Sequence, residues 1–249
     1  MKRLALLVPI IAVAQAVAAA EIVVMSVGAV KSPFAIDAAA WEKSSGNTVT
    51  ATFNPAGDVR RKLAAGERAD VLILPREDFA ELERTGVVAA GSVRDLGGVA
   101  MAAAVRKGAA VPDISTSDAL KRTLMEAKSL TYMDPERGTS GKHFDETVLR
   151  RLGIRDAVRA KTTLGEGGYI AEKVARGEVE IAFHNLTEIL PVDGVTIVGL
   201  LPAELQRATV YSGGVMKQAR APREAQALLD YLASPEGRKA FLDRGFTAP

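Results

Sequence analysis

EIVVMSVGAVKSPFAIDAAAWEKSSGNTVTATFNPAGDVRRKLAAGERADVLILPREDFAELERTG, residues 21–86, decides the fold. Its opening, Glu21 to Val27, alternates and is rich in β-branched residues, the pattern of a strand. Gly28-Ala29 follows as a small-residue turn. Residues 33–44 carry Phe34, Ile36, Ala40 and Trp41 at helical spacing, and Gly46-Asn47 stops that helix because both tolerate a left-handed backbone. Thr48 to Phe53 reads as a second strand, Asn54-Pro55-Ala56-Gly57 as a turn, and Asp58 as the N-cap of a helix over 59–65 closed by Gly66. Val71 to Leu74 is wholly apolar, as strands covered on both faces are. Pro75 and Arg76 break it, and 77–85 is helical. Three strands alternating with three helices predict a parallel sheet flanked by helices.

Outward from that stretch the alternation continues. Strands are expected over 97–105, 130–133, 179–184, 194–200 and 209–216, and helices over 117–125, 142–152, 169–176, 223–233 and 235–244. Residues 21–98 form one α/β unit and 99–208 a second. The last stretch, 209–249, holds one strand and two helices, too little for a domain, and is expected to pack back on the first unit. The fold class is therefore α/β with two lobes, each a mainly parallel sheet flanked by helices. Two crossovers join the lobes and leave a cleft between them. Ligands in such folds sit beyond the carboxyl ends of the strands, facing helix N-termini.

Upstream of Glu21 lies a segment that does not belong to this core. Lys2 and Arg3 precede an apolar run from Leu4 to Val17, and Ala18-Ala19-Ala20 supplies a small-residue cleavage pattern. Residues 1–20 read as a cleaved secretory signal, which places the mature chain in the periplasm with no membrane anchor. The chain has no cysteine, which excludes a lipid-modified N-terminal Cys, disulfides and thiolate metal sites. Of 32 Lys+Arg and 30 Asp+Glu, removal of Lys2 and Arg3 leaves 30 of each. A neutral mature chain without a basic stripe or interleaved aromatics argues against nucleic-acid binding.

Four small-residue loops fall between predicted strands and helices. They are Ser26-Val27-Gly28-Ala29, then Asn54-Pro55-Ala56-Gly57-Asp58, then Arg137-Gly138-Thr139-Ser140-Gly141, and lastly Gly165-Glu166-Gly167-Gly168-Tyr169. Backbone N–H groups at such starts, with the Thr139 and Ser140 hydroxyls, make an anion cradle that needs no full positive charge. Lys31, Arg137 and Lys142 lie beside these loops. No loop matches the Gly-Lys-Ser/Thr phosphate loop or G-x-G-x-x-G, no Ser sits in G-x-S-x-G, and neither His143 nor His184 has metal-ligand spacing. His184, followed by Asn185, ends a predicted strand on the side of the cleft. The expected binding set is Ser26, Gly28, Ala29, Ala56, Gly57, Asp58, Arg137, Thr139, Ser140, Gly168, Tyr169, His184 and Asn185, with no metal and no cofactor.

Several segments resemble, in order, the molybdate-binding proteins of ABC transporters and their relatives among type II periplasmic binding proteins. They are EIVVMSVGAV, GDVRRKLAAGERADVLIL, MDPERGTSGKHF with VLRRLGI, VARGEVEIAFHNLTEILP and LLDYLASPEGRKAFLDRGF. The resemblance implies two lobes closing on an oxyanion held by hydroxyls and backbone N–H groups. It also implies a monomeric receptor that delivers a small anion to a membrane permease. The chain departs from the pattern where those proteins place hydroxyls: Ala29 stands in the first loop, Ala56 and Gly57 in the second, and His184-Asn185 where a Tyr is common. Each buried oxyanion oxygen short of a donor costs about 1–3 kcal/mol, so a small organic acid is the expected ligand, with a molybdate-like oxyanion as the alternative. One branch of the group looks like a periplasmic aconitate isomerase. That resemblance implies an alternative, proton transfer on a tricarboxylate in the same cleft, with His184, His143, Glu166 and Tyr169 as candidate acids and bases.

Overall fold

A computed structural model describes residues 19–249; the secretory signal read over 1–20 lies, for residues 1–18, outside the described residues. The elements are β1 (Glu21–Val27), α1 (Lys31–Ser45), β2 (Thr48–Asn54), α2 (Ala56–Ala64), β3 (Val71–Pro75), α3 (Phe79–Arg84), β4 (Arg94–Val99) and β5 (Met101–Arg106). Then come α4 (Ser117–Glu126), β6 (Leu130–Tyr132), α5 (Thr139–His143), α6 (Arg150–Leu152), α7 (Arg155–Arg159) and α8 (Glu172–Ala175). The chain ends with β7 (Ile181–Asn185), α9 (Leu186–Ile189), β8 (Val195–Leu200), β9 (Thr209–Val215), α10 (Pro222–Leu232) and α11 (Pro235–Asp243).

The strands form two sheets, ordered β2-β1-β3-β9-β4 and β6-β7-β5-β8, and each is the floor of one lobe. The first core gathers Ile22, Val24, Leu72, Ile73, Phe34 and Phe79 with Leu228, Leu229 and Phe241 from the last two helices. The second gathers Tyr132, Phe144, Leu149 and Phe183. β9 inserts between β3 and β4, so the C-terminal stretch completes the first sheet. Thr247 then pairs with Gly98 at the outer edge of that sheet.

Four expectations need correction. The parallel ladders are β1 with β2 and β3, and β6 with β7; β9 runs antiparallel to both its neighbours, as does β5. The sheets are mixed because the chain crosses between them on strands that must run back. The single strand expected over 97–105 is two, since Val99 ends the β4–β9 ladder and Met101 opens the β5–β7 ladder. Ala100 is the first crossover, and the Gln206 side chain clamps it to the second by accepting from Met101 N–H at 3.0 Å and donating to Met101 C=O at 2.8 Å. The helix expected from 142 starts at Thr139 and widens to a looser coil over Phe144–Leu149. Of the helix expected over 169–176, only Glu172–Ala175 is regular.

Candidate functional site

A cavity of about 100 Å³ lies between the lobes. One wall comes from the ends of β1 and β2 and the starts of α1 and α2: Gly28, Ala29, Lys31, Asn54 and Ala56. The facing wall is Met133, Gly138, Thr139, Ser140, Gly168 and Tyr169, with His184 and Asn185 from the end of β7 and Glu188 from α9. Tyr211 of β9 closes the hinge side. Lys31, Ala56 and Thr139 are the first residues of their helices, so three helix starts open on one space, although Lys31 N–H is already bonded to Gly28 C=O and Gly57 N–H to Arg137 C=O. A larger open groove on the outside of the second lobe, lined by Arg106, Pro112, Thr123 and Lys128, presents no comparable convergence.

The structure brings together Gly28, Ala29, Ala56, Thr139, Ser140, Gly168, Tyr169, His184 and Asn185 of the expected set. Four others lie elsewhere. Ser26 is fully buried within β1 and donates to its neighbour Val27 C=O at 3.3 Å, because its side chain faces the sheet interior and not the strand end. Gly57, Asp58 and Arg137 sit outside the cavity and join the lobes. Gly57 N–H donates to Arg137 C=O at 2.8 Å, and Arg137 Nη2 donates to Asp58 Oδ2 at 2.8 Å. Asp58 is not the N-cap, because α2 starts two residues earlier; it lies in the first turn, where its charge still favours the helix dipole.

Among the groups considered as acids or bases, His143 faces away and its Nε2 lies 2.9 Å from Leu205 C=O. Burial, followed by the nearby Arg207 and Arg151 charges, lowers its pKa against the opposing bond to Leu205. Glu166 is exposed and 3.7 Å from Arg137 Nη1. Lys142 is exposed and points outward, whereas the Lys31 ammonium lies 5.6 Å from the Tyr169 ring centroid. The Tyr169 phenol is half-buried, and burial, then the Glu188 charge, raises its pKa.

Two cavity groups escaped the sequence reading, Glu188 and Tyr211. Glu188 is buried, and its Oε2 accepts from Asn185 Nδ2 at 2.8 Å and lies 3.3 Å from His184 Nδ1. That last contact has ion-pairing distance without hydrogen-bond alignment, so neither ring nitrogen of His184 has a hydrogen-bond partner. Asn185 Nδ2 also donates to Tyr211 Oη at 3.1 Å. Burial first, then Glu188, pushes the Tyr211 pKa up and holds the phenol protonated. The spacing His184-x-x-x-Glu188 was the available sequence signal; Tyr211, inside an apolar strand, left none.

Asn185 Oδ1 and Thr139 Oγ1 are likewise buried without partners. Gly28 makes the Glu188 position possible: a Cβ there would lie 2.7 Å from Glu188 Oε1. The cavity thus presents one ammonium, three helix starts, one carboxylate, one imidazole and two tyrosines. Among the described residues, no group of three or more His, Asp or Glu side chains is placed to hold a metal. No helix there is long and apolar enough to cross a membrane.

This architecture has known counterparts. Over 227 residues the chain is 36% identical to the aconitate isomerase of Pseudomonas sp, covering 89% of this chain and 86% of that one. It is 27% identical over 203 residues to the putative ABC transporter substrate-binding lipoprotein YvgL of Bacillus subtilis (strain 168), covering 81% and 76%. The solved Azotobacter vinelandii periplasmic molybdate-binding protein superposes with a TM-score of 0.78 at 17% identity, over 92% of this chain and 99% of that one, which speaks for the fold alone. The family model for bacterial extracellular solute-binding proteins matches residues 22–247, both sheets and the whole cavity wall, and the chain belongs to that family.

Proposed function

We propose that the cavity takes a small unsaturated organic acid carrying several carboxylates and moves its double bond by proton transfer, the activity for which the Pseudomonas relative is named. One observation carries this reading: the polar atoms without protein partners are of both kinds. The ring nitrogens of His184 and the Thr139 hydroxyl are able to donate, whereas Asn185 Oδ1 only accepts. Glu188 adds a carboxylate to the same wall. A fully ionised tetraoxyanion offers acceptors alone and meets Ala29 and Ala56 on the opposite wall. A polycarboxylate with a mobile C–H proton meets donors for its carboxylates and, in Glu188, a carboxylate beside that proton. Lys31 and the three helix starts supply the positive potential for its carboxylates.

A second reading is favoured by the family match and the Bacillus relative. In it the protein is a monomeric periplasmic receptor, exported by residues 1–20, that hands the same acid to a membrane permease of an ABC transporter without changing it. Both readings share the cavity and differ in turnover.

Thermal-shift measurements with molybdate, tungstate, sulfate, phosphate, citrate and both aconitate isomers test the ligand class. A ligand at 100 times its Kd adds about 2.7 kcal/mol to the folded state. The expected response is to the tricarboxylates, with interconversion of the two aconitates followed by proton NMR. A response to tetraoxyanions alone defeats the organic-acid reading. Tricarboxylate binding without turnover selects the receptor.

A further inference from the structure

We infer that Glu188 is the general base of this site and that His184 is its partner acid, the two forming one proton-transfer dyad. The inference rests on the isomerase reading above. A 1,3-proton shift needs a base beside the methylene carbon and an acid beside the far end of the double bond, both held in place. His143 and Glu166 are removed from the cavity. Tyr169 and Tyr211, whose phenols are raised by burial and by Glu188, are poor bases. Glu188 and His184 remain, on one wall, with side chains 8% and 1% exposed.

Their setting is directional. Asn185 Nδ2 anchors Glu188 Oε2, and Tyr211 Oη anchors Asn185 from behind. Glu188 Oε1 therefore faces the loop of the other lobe, where glycine at position 28 leaves it room. Among the described residues no protein donor is bonded to Oε1. His184 Nδ1 lies 3.3 Å from Oε2 while Nε2 has no partner. Glu188 Oε2 and His184 Nδ1 thus face each other at 3.3 Å, and Oε1 and Nε2 are left for substrate.

The step balances. Glu188 Oε1 takes a proton from the substrate methylene, and the C–H electron pair becomes the new double bond. The old double-bond pair moves to its distal carbon, which takes the Nε2 proton of the His184 imidazolium. Glu188 ends protonated on Oε1 and His184 neutral with its remaining proton on Nδ1; once product leaves, Oε1 releases its proton to water and Nε2 takes one from water, which restores both. No oxidant, metal or second substrate is consumed.

The test follows cis-aconitate by NMR in D₂O with the wild type and Glu188→Gln. The wild type is expected to interconvert the isomers with deuterium entering at carbon. Glu188→Gln is expected to lose 10²–10⁴-fold in kcat, to lose the exchange, and to keep the substrate-induced thermal shift. A Glu188→Gln protein within threefold of wild-type kcat overturns the dyad while leaving the isomerase reading intact. An inactive wild type overturns the isomerase reading itself. Should Glu188→Gln not fold, Glu188→Asp decides: a kcat within threefold and an unchanged pH profile overturn the dyad, and a depressed kcat with a displaced acid limb supports it.

Discussion

Arg137 Nη2 donates to Asp58 Oδ2 at 2.8 Å and so ties a loop of the second lobe to the first turn of α2 in the first. Beside it, Gly57 N–H donates to Arg137 C=O at 2.8 Å. These are the two sides of the cleft in contact at its rim. The guanidinium is thereby committed to closure: Asp58 raises its pKa first, against burial, with Glu166 and Asp134 adding to the rise. Its donors face Asp58 and Glu166, and it is not among the residues of the cavity wall.

The ion pair is partly screened, with side chains 30% and 16% exposed, and pairs of that kind contribute roughly 0.2–1 kcal/mol. Arg137→Ala is therefore expected to weaken tricarboxylate binding by a factor of about 1.4–5, with the ligand-free melting temperature unchanged within a degree or two. A double-mutant cycle with Asp58→Ala, read by calorimetry, should give a coupling of that size. Additive single effects would show that the pair plays no part in closure.

Gly57→Ala should act more strongly. A Cβ at this position would lie 2.6 Å from Glu136 C=O and 3.0 Å from Arg137 C=O, and both are backbone atoms. The lobes then cannot meet as they do here. We expect at least a tenfold loss of affinity, about 1.4 kcal/mol, and a larger radius of gyration in the presence of ligand by small-angle scattering. Wild-type compaction in the variant would refute the steric account.

Asp37 gives the protein an alkaline weakness. It is buried on α1 with Oδ2 unpartnered, and burial, followed by the Glu236 charge, pushes its pKa up to about 7. A carboxyl raised in the folded state binds more protons there than in the unfolded chain. Stability is thus greatest below the unfolded value near 4 and declines as pH rises to about 7. Asp37→Asn is expected to match wild-type stability at pH 4 and to exceed it at pH 8 by up to ~4 kcal/mol. Parallel Tm-versus-pH curves for the two proteins would count against this.

Asp145 behaves in the opposite sense. Its fully buried carboxylate accepts from Tyr132 Oη at 2.8 Å, from Arg155 Nε at 2.8 Å and from Arg159 Nε at 2.7 Å. Burial raises its pKa, and these three bonds together outweigh it, so the net shift is downward. Asp145→Ala strands two guanidinium partners and a buried phenol, and we expect a loss of about 3–5 kcal/mol in denaturant unfolding. Stability from this group is present above the usual carboxylate range and is lost as pH falls through its lowered pKa. A loss below 1 kcal/mol would mean that the network is dispensable.

Much of this molecule is legible in its residues. The alternation over 21–86, the apolar VLIL strand and the amphipathic closing helices report backbone periodicity, which is local and survives without knowing any partner. The small-residue turns after β1 and β2 and before α5 likewise placed Gly28, Ala29, Ala56, Thr139 and Ser140 near the site, because a chain reversing at a strand end needs such residues. Pairing is different. That the run from Gly97 to Val105 breaks at Ala100 and serves two sheets depends on which strands lie beside it, β9 on one side and β7 on the other. The roles of Arg137 and Asp58, 79 residues apart, depend on lobe closure. Glu188 and Tyr211 became site residues only when β7, α9 and β9 were brought around one cavity. Periodicity is written along the chain; the partner of a buried charge is chosen across it, by desolvation that exists only once the lobes have closed.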